Sequence, residues 1–280
     1  MHVFETLQEP RLRIRNAAGA IRIETADTAE TTVELDALRD DDATREAIER
    51  ATIEQSGSEV TVEVGTGGKG FGVGPAWISF GRTPQVGIRI RCPEGAELEC
   101  FTASADVLAI GRLGDAEIKT ASGDVSVEAV ARLRVQSASG DVRATAVGVE
   151  ARLQTVSGDV TLGTVGGPVT AKLVSGDFAL EDGQSDVEAK TVSGDQRVDA
   201  IRQGSIKLHS VSGDVRLGVR PGTRLRIDAT STSGEIRSEF DVKDGPSGEP
   251  SGAEASLQIK TVSGDIGIVR AAEVVELGSA

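Results

Sequence analysis

The chain has 280 residues, of which 38% are hydrophobic and only 2% aromatic, and its formal net charge is −14. A core with so few rings must be built from Val, Leu, Ile and Ala, which suits thin strand layers better than a bulky globular core. The negative charge argues against a nucleic-acid backbone or an anionic membrane surface as the main partner, because both reward Lys and Arg.

The start of the chain has no apolar run of the kind found in signal peptides. No stretch approaches the roughly 18 apolar residues that a membrane span requires. We therefore expect a cytoplasmic protein that makes no direct membrane span and binds no nucleic acid.

Residues 1–91 are predicted to form a β-rich N-terminal capping region. Alternating apolar residues between 11 and 35 predict three strands, separated by a turn at 16–19 and a polar stretch at 25–31. Residues 41–51 begin with acidic side chains that cap a helix and complement its dipole, so we expect one short helix there. A strand pair is expected at 51–55 and 60–64.

The Gly-rich segment 65–80 begins with a match to Gly-x-Gly-x-x-Gly after a strand. A dinucleotide site needs a helix directly afterwards, and Gly72, Gly74 and Pro75 forbid one, so we predict no nucleotide and no cofactor. The segment carries three aromatic residues, Phe71, Trp77 and Phe80. They either cover one end of the repeat array or form a partner contact, since exposed aromatic rings anchor interfaces.

Cys92 and Cys100 flank the turn that leads into the repeats. In a reducing compartment, two buried thiols are favoured over a disulfide. Two thiols without a nearby His also make a poor metal site.

Residues 92–280 are predicted to form a repeat domain built on a Ser-Gly-Asp motif. From Ser104 to Ser212 the motif recurs after 18, 17, 18, 18, 18 and 19 residues. Each repeat holds two short runs of alternating apolar residues, which predict two strands with one face inward. The predicted fold class is all-β, a single-stranded β-helix (β-solenoid) with about 18 residues per coil. An insertion is expected near 241–254.

The Ser-Gly-Asp residues are interpreted as structural turns, because Gly permits positive φ while Ser and Asp side chains bond to nearby backbone amides. The turn residues are Ser122, Gly123, Asp124, Ser139, Gly140, Asp141, Ser157, Gly158, Asp159, Ser175, Gly176, Asp177, Ser193, Gly194, Asp195, Ser212, Gly213, Asp214, Ser263, Gly264 and Asp265. Stacked turns bring like charges close together, and calcium could compensate them. The calcium-binding nonapeptide pattern is absent, so we predict no metal ligands.

One residue breaks the apolar pattern inside the array. Gln196 stands at a position that is otherwise apolar. Its repeat is therefore either locally distorted or holds a hydrogen-bonded polar group.

The first alternating strands, the Cys92-Pro93-Glu94-Gly95 turn and the iterated Thr-Val-Ser-Gly-Asp-Val together resemble the bacterial DUF4097 β-strand-repeat proteins. That family is also known as “putative adhesins” and is related to toast-rack domains of membrane-stress systems. The resemblance implies a right-handed β-helix, a non-catalytic role and an association with envelope-stress systems. It supplies no catalytic residues.

We therefore predict a non-catalytic scaffold that binds an unknown protein partner. Two alternatives stay open. One is a solenoid that binds carbohydrate or calcium. The other is a polysaccharide-processing β-helix enzyme, which would need paired carboxylates.

Overall fold

The computed structural model describes residues 1–6, 9–65, 83–240 and 253–271. The aromatic residues Phe71, Trp77 and Phe80 and most of the predicted insertion lie outside these residues. Strands and one helix make up almost all of the regular structure in the described residues, which confirms the prediction of an all-β fold with one short helix. The chain divides into two compact units, Met1–Val142 and Arg143–Ala280. The predicted boundary at 91–92 marks a change of sequence pattern and stays a prediction.

In the described residues of the first unit there are eight strands and the helix. In chain order they are β1 (His2–Glu5), β2 (Arg11–Ala26), β3 (Glu30–Ala37), α1 (Asp42–Glu49), β4 (Thr52–Ser56), β5 (Glu59–Val64), β6 (Val86–Pro93), β7 (Glu97–Thr120) and β8 (Val125–Ser139). The helix begins as predicted from its acidic residues, because the Asp41 carboxylate accepts a hydrogen bond of 2.8 Å from the Thr44 amide.

Strand β2 lies between later parts of the chain. It pairs in parallel with β5 and β6 along one edge and with β7 along the other. Strands β3 and β4 pair in antiparallel fashion with β6 and β5, and β1 pairs with β3. Strand β2 is therefore an interior strand of this unit.

The predicted turn at 16–19 is wrong as a strand boundary, because β2 runs through it. The chain bends there without leaving the ladder: Asn16 is buried and its side-chain amide donates to the Val86 carbonyl over 3.0 Å. Gly19 has φ +125°, and Ala20 is in register with Asp106. Residues 16–20 therefore form a corner equivalent to the Ser-Gly-Asp corner, although they contain neither the Ser nor the Asp of the motif.

Twelve strands lie in the part of the second unit that the structure describes. They are β9 (Val142–Ser157), β10 (Val160–Val165), β11 (Val169–Ser175), β12 (Phe178–Gly183), β13 (Val187–Ser193), β14 (Gln196–Ile201), β15 (Gly204–Ser212), β16 (Val215–Val219), β17 (Arg224–Ser233), β18 (Ile236–Ser238), β19 (Glu254–Ser263) and β20 (Ile266–Arg270).

These strands form two parallel ladders. The first ladder runs β9, β11, β13, β15, β19, β17, and the second runs β10, β12, β14, β16, β20, β18. In all of these strands except β17 and β18, alternate residues point inward and are buried, as the pattern predicted; Phe178, Leu162 and Leu180 are among the largest fully buried side chains. Burial of each such side chain contributes about 1.5–3 kcal/mol.

The last repeats do not stack in chain order, unlike those of a regular solenoid, in which each repeat contacts only its sequence neighbours. Strand β19 lies between β15 and β17, and β20 lies between β16 and β18. The register sets Ile268 of β20 beside Ser238 of β18. The more apolar repeat thus takes the interior place, where both of its flanks are covered, and the more polar repeat takes the outer one.

Candidate interaction surface

The glycine of the Ser-Gly-Asp corner is fixed by backbone contact as well as by its dihedral angle. Gly194 has φ +136°, and a Cβ atom built on it would lie 2.1 Å from the carbonyl oxygen of Gly176. Gly176 and Gly213 show the same approach, at 2.2 Å each. At these three positions a Cβ atom would clash with the preceding repeat, so each of them requires Gly.

The aspartate of the corner links one repeat to the next. Its Oδ1 accepts a hydrogen bond from the backbone N–H at the equivalent position of the neighbouring repeat. In the second unit the N–H groups of Asp177, Asp195, Asp214, Asp265 and Glu235 donate over 2.8 Å to Asp159, Asp177, Asp195, Asp214 and Asp265, respectively. The five acceptors are called here the aspartate column.

In the first unit the same bond runs from Asp124 to Asp106 over 3.0 Å and from Asp141 to Asp124 over 2.9 Å. These bonds offset part of the repulsion between stacked carboxylates. Across the described ranges, no group of three His, Cys, Asp or Glu residues is placed to hold a metal ion.

Gln196 is a hydrogen-bonded polar group inside the core, which is one of the two alternatives predicted for it. It is 1% exposed, and its amide nitrogen donates to the Thr191 hydroxyl over 2.9 Å and to the His209 carbonyl over 2.7 Å. Its carbonyl oxygen has no hydrogen-bond partner. The side chain ties β14 to β13 and β15 inside the core and leaves one acceptor unsatisfied.

An exposed apolar stripe runs along the first ladder. The residue before the motif Ser is Val in five repeats of the second unit, and the register sets these Val side by side. They are Val156, Val174, Val192, Val211 and Val262, each between 47% and 53% exposed. We call them the Val column.

A positively charged stripe runs beside the Val column, two residues earlier in each strand. Lys172 is in register with Lys190, Lys190 with His209, and His209 with Lys260. These four residues are called the cation column. Because the chain carries a net charge of −14, a row that holds three aligned lysines and one histidine is a local reversal of its charge.

The charges of the cation column change the pKa of two residues, His209 within the column and Glu188 beside it. Partial burial, and then the charges of Lys190 and Lys260, lower the pKa of His209. The hydrogen bond and charge of Lys190, whose Nζ lies 2.6 Å from Glu188 Oε1, lower the pKa of Glu188. His209 is therefore mainly neutral at pH 7, and the column gains charge as the pH falls.

A polar cleft of about 530 Å³ lies elsewhere in the second unit, lined by Gly166, Asp182, Gln184, Arg202, Gln203 and Arg220. Among the residues that the structure describes, Asp182 is the one carboxylate of this lining. Its Oδ1 pairs with Arg220 Nη2 over 2.9 Å, and its Oδ2 accepts from the Gln184 amide over 3.3 Å. Both oxygens of Asp182 therefore already have partners. Glycoside hydrolysis would also require a second carboxyl group beside it.

The two cysteines are buried, free thiols, as the sequence predicted. Burial raises the pKa of Cys92 and of Cys100 to about 12 in each case. Neither thiol is therefore suited to act as a nucleophile or metal ligand at neutral pH.

The Val and cation columns were not identified from the sequence, although the signal was present at fixed offsets from each motif Ser. The prediction from the Thr-Val-Ser-Gly-Asp motif considered only its corner residues, Ser, Gly and Asp. Phe71, Trp77 and Phe80, the residues predicted for partner contact, lie outside the described residues. In the described part of the chain, no helix has the length and apolar character needed to span a membrane.

Three solved structures resemble the chain along most of its length. A “putative adhesin” from Parabacteroides distasonis is 12% identical, with 95% of each chain covered and a TM-score of 0.42. A “putative adhesin” from Parabacteroides merdae is 10% identical, with 96% of this chain and 95% of that one covered and a TM-score of 0.42. A “putative lipid binding protein” from P. distasonis is 16% identical, with 93% and 95% covered and a TM-score of 0.42.

No curated protein matches the chain. The family model described as Toastrack DUF4097 matches residues 10–269, which is most of the sequence. The chain therefore belongs to the Toastrack DUF4097 family.

Proposed function

We propose that this protein is a non-catalytic interaction scaffold of the adhesin type. In this proposal a right-handed β-solenoid with about 18 residues per coil uses the Ser-Gly-Asp residues as its corners and presents the first ladder of the second unit to a protein partner. The observation that carries the proposal is the Val column, because five aligned and half-exposed apolar side chains mark a contact surface better than scattered ones do.

The chemistry of the described residues supports a non-catalytic role. The corner carboxylates accept backbone hydrogen bonds, and the one carboxylate in the cleft is paired with Arg220. The family resemblance adds the link to envelope-stress systems. A cytoplasmic location stays part of the proposal.

Site-specific photocrosslinking tests the scaffold role. A photoreactive amino acid is placed at Val192 in the column, and a matched one at Thr164, an exposed position of the second ladder. We expect discrete crosslinked protein species in cells from position 192 and none from position 164. Equal crosslinking at both positions, or none at position 192, would overturn the proposal.

The polar cleft supports a second candidate function, the binding of an acidic carbohydrate. The Arg202 guanidinium suits a uronate carboxylate, and the amides of Gln184 and Gln203 suit hydroxyl groups. Calorimetric titration with oligogalacturonate, an available acidic oligosaccharide, tests this function. Binding by the wild type that Arg202→Ala abolishes would support it, and no heat of binding by the wild type would exclude this ligand.

A further inference from the structure

The face of the first ladder has three parallel columns with different chemistry. The Val column lies in the middle, the cation column on one side, and the aspartate column across the corner on the other. Two residues of extended chain, about 7 Å, separate the Val and cation columns. Three residues around the corner, at most about 10 Å, separate the Val and aspartate columns. An apolar line is thus flanked by opposite charges on its two sides.

All three columns share one repeat distance, because each contributes one residue per strand of a parallel ladder. Neighbouring strands lie about 4.8 Å apart, so the Val column from Val156 to Val262 is about 19 Å long. A partner that matches all three columns must have the same spacing and the reverse order of charges. A second copy of this chain has both.

We propose that this face binds the same face of a second copy, related by a two-fold axis that runs parallel to the columns along the Val column. This rotation sets Val on Val, and it sets the cation column of each copy over the aspartate column of the other. A two-fold axis perpendicular to the columns would instead set cations over cations, which repel. The charge order thus selects one of the two symmetric arrangements, an isologous dimer.

The face has the size of a modest interface. Its six strands at about 4.8 Å spacing, with about seven residues of 3.3 Å each, cover about 650 Å². Standard interfaces bury roughly 800 Å² per partner. We therefore expect a dimer that dissociates on dilution and weakens with added salt, since its flanks are charge pairs at the surface.

Cysteine crosslinking reads the symmetry directly. The native thiols are buried, so single variants Val156→Cys, Val192→Cys and Val262→Cys each add one exposed thiol. Under the proposed axis every column position faces its own copy, and all three variants form disulfide dimers on mild oxidation. Under the perpendicular axis Val156 would face Val262, and only the central Val192→Cys would crosslink. Thr164→Cys, on the second ladder, is the control that should form no disulfide-linked dimer.

Sedimentation equilibrium tests the association itself. We expect the wild type to dimerise in the micromolar range and the double variant Val174→Asp, Val192→Asp to raise the dissociation constant at least tenfold. Thr164→Asp adds a charge on the other ladder and should leave it unchanged; circular dichroism checks the fold of each variant. A wild type that stays monomeric at high concentration, or a double variant that dimerises normally, overturns the inference.

The inference rests on the proposed scaffold function, and the two can fail separately. Photocrosslinks from Val192 to a different protein, with a monomeric wild type, would refute the dimer and leave the scaffold role intact. Crosslinks only between copies of the chain would support the dimer as the occupant of this face.

Discussion

Lys260 lies beside His209 in the first ladder, although a whole repeat, containing Thr230, separates them in the chain. The neighbour that chain order would give His209 is Thr230. The observed neighbour is a cation, and the cation column is continuous for that reason. The electrostatic consequence is the lowered pKa of His209, to which the charge of Lys260 contributes after burial and Lys190.

Protonation of His209 should therefore destabilise the fold. The unfolded chain binds this proton near the ordinary pKa of about 6.5, and the folded protein binds it only at lower pH. The stability is complete above pH 6.5 and falls as the pH drops toward the folded pKa. Thermal melts of the wild type and His209→Gln should agree at pH 7.5 and diverge at pH 5.5, with the variant losing less.

The charged groups around His209 are Lys190 and Glu188 on β13, Lys260 on β19 and Lys207 on its own strand. Only Glu188 favours the protonated form. An NMR titration that finds the His209 pKa at or above 6.5 would contradict the prediction, whatever the melts show.

Replacement of a corner glycine should be costly because of backbone contact. In Gly194→Ala the new Cβ would meet the Gly176 carbonyl oxygen at 2.1 Å with φ at +136°. We expect a loss of about 3 kcal/mol from the strained dihedral angle and the clash together. Gly57→Ala is the matched control, because its φ is also positive, at +62°, and nothing lies within 4 Å. It should lose only about 1 kcal/mol.

Urea unfolding of the two variants measures the difference. Equal losses in Gly194→Ala and Gly57→Ala would mean that the dihedral angle alone matters. The close approach between repeats would then have no energetic effect.

The corner aspartates should act through their hydrogen bonds and not through their charge. Asp177→Ala removes the acceptor for the Asp195 amide and should cost about 1 kcal/mol of unfolding free energy. Asp177→Asn keeps an oxygen acceptor, removes one charge from the aspartate column and should be neutral or slightly stabilising. Thermal melts with added calcium test the alternative that the aspartate column binds this ion. A bound ion would stabilise the wild type more than Asp177→Asn.

The two cysteines should be protected in the native protein. With the pKa of each thiol raised to about 12 by burial, a thiol reagent at pH 8 should label neither residue at an appreciable rate. Both should react within minutes once the chain is unfolded in guanidinium. Mass spectrometry counts the labels, and rapid modification of Cys92 or Cys100 in the folded state would disprove the burial argument.

Much of the second unit could be predicted from the sequence because its information is local. The period of the motif and the alternation around it identify the strands, their inward residues and the corner positions. The corner in β2 was missed because Asn16 to Ala20 contains neither the Ser nor the Asp of the motif. Its place in the ladder is visible only in its register with Ser104 and Asp106.

The sequence by itself determined the repeat, the inward columns and the offset at which Val and Lys recur. Only the tertiary structure decided the order of the last repeats, and with it which residues are neighbours in each column. The reason is that pairing between parallel strands is non-local, and the strand that buries more apolar surface takes the interior place. Strand β20, which carries Ile268, therefore takes the interior place and β18, which carries Ser238, the outer one. For the same reason β19 pairs with β15, which places Lys260 beside His209.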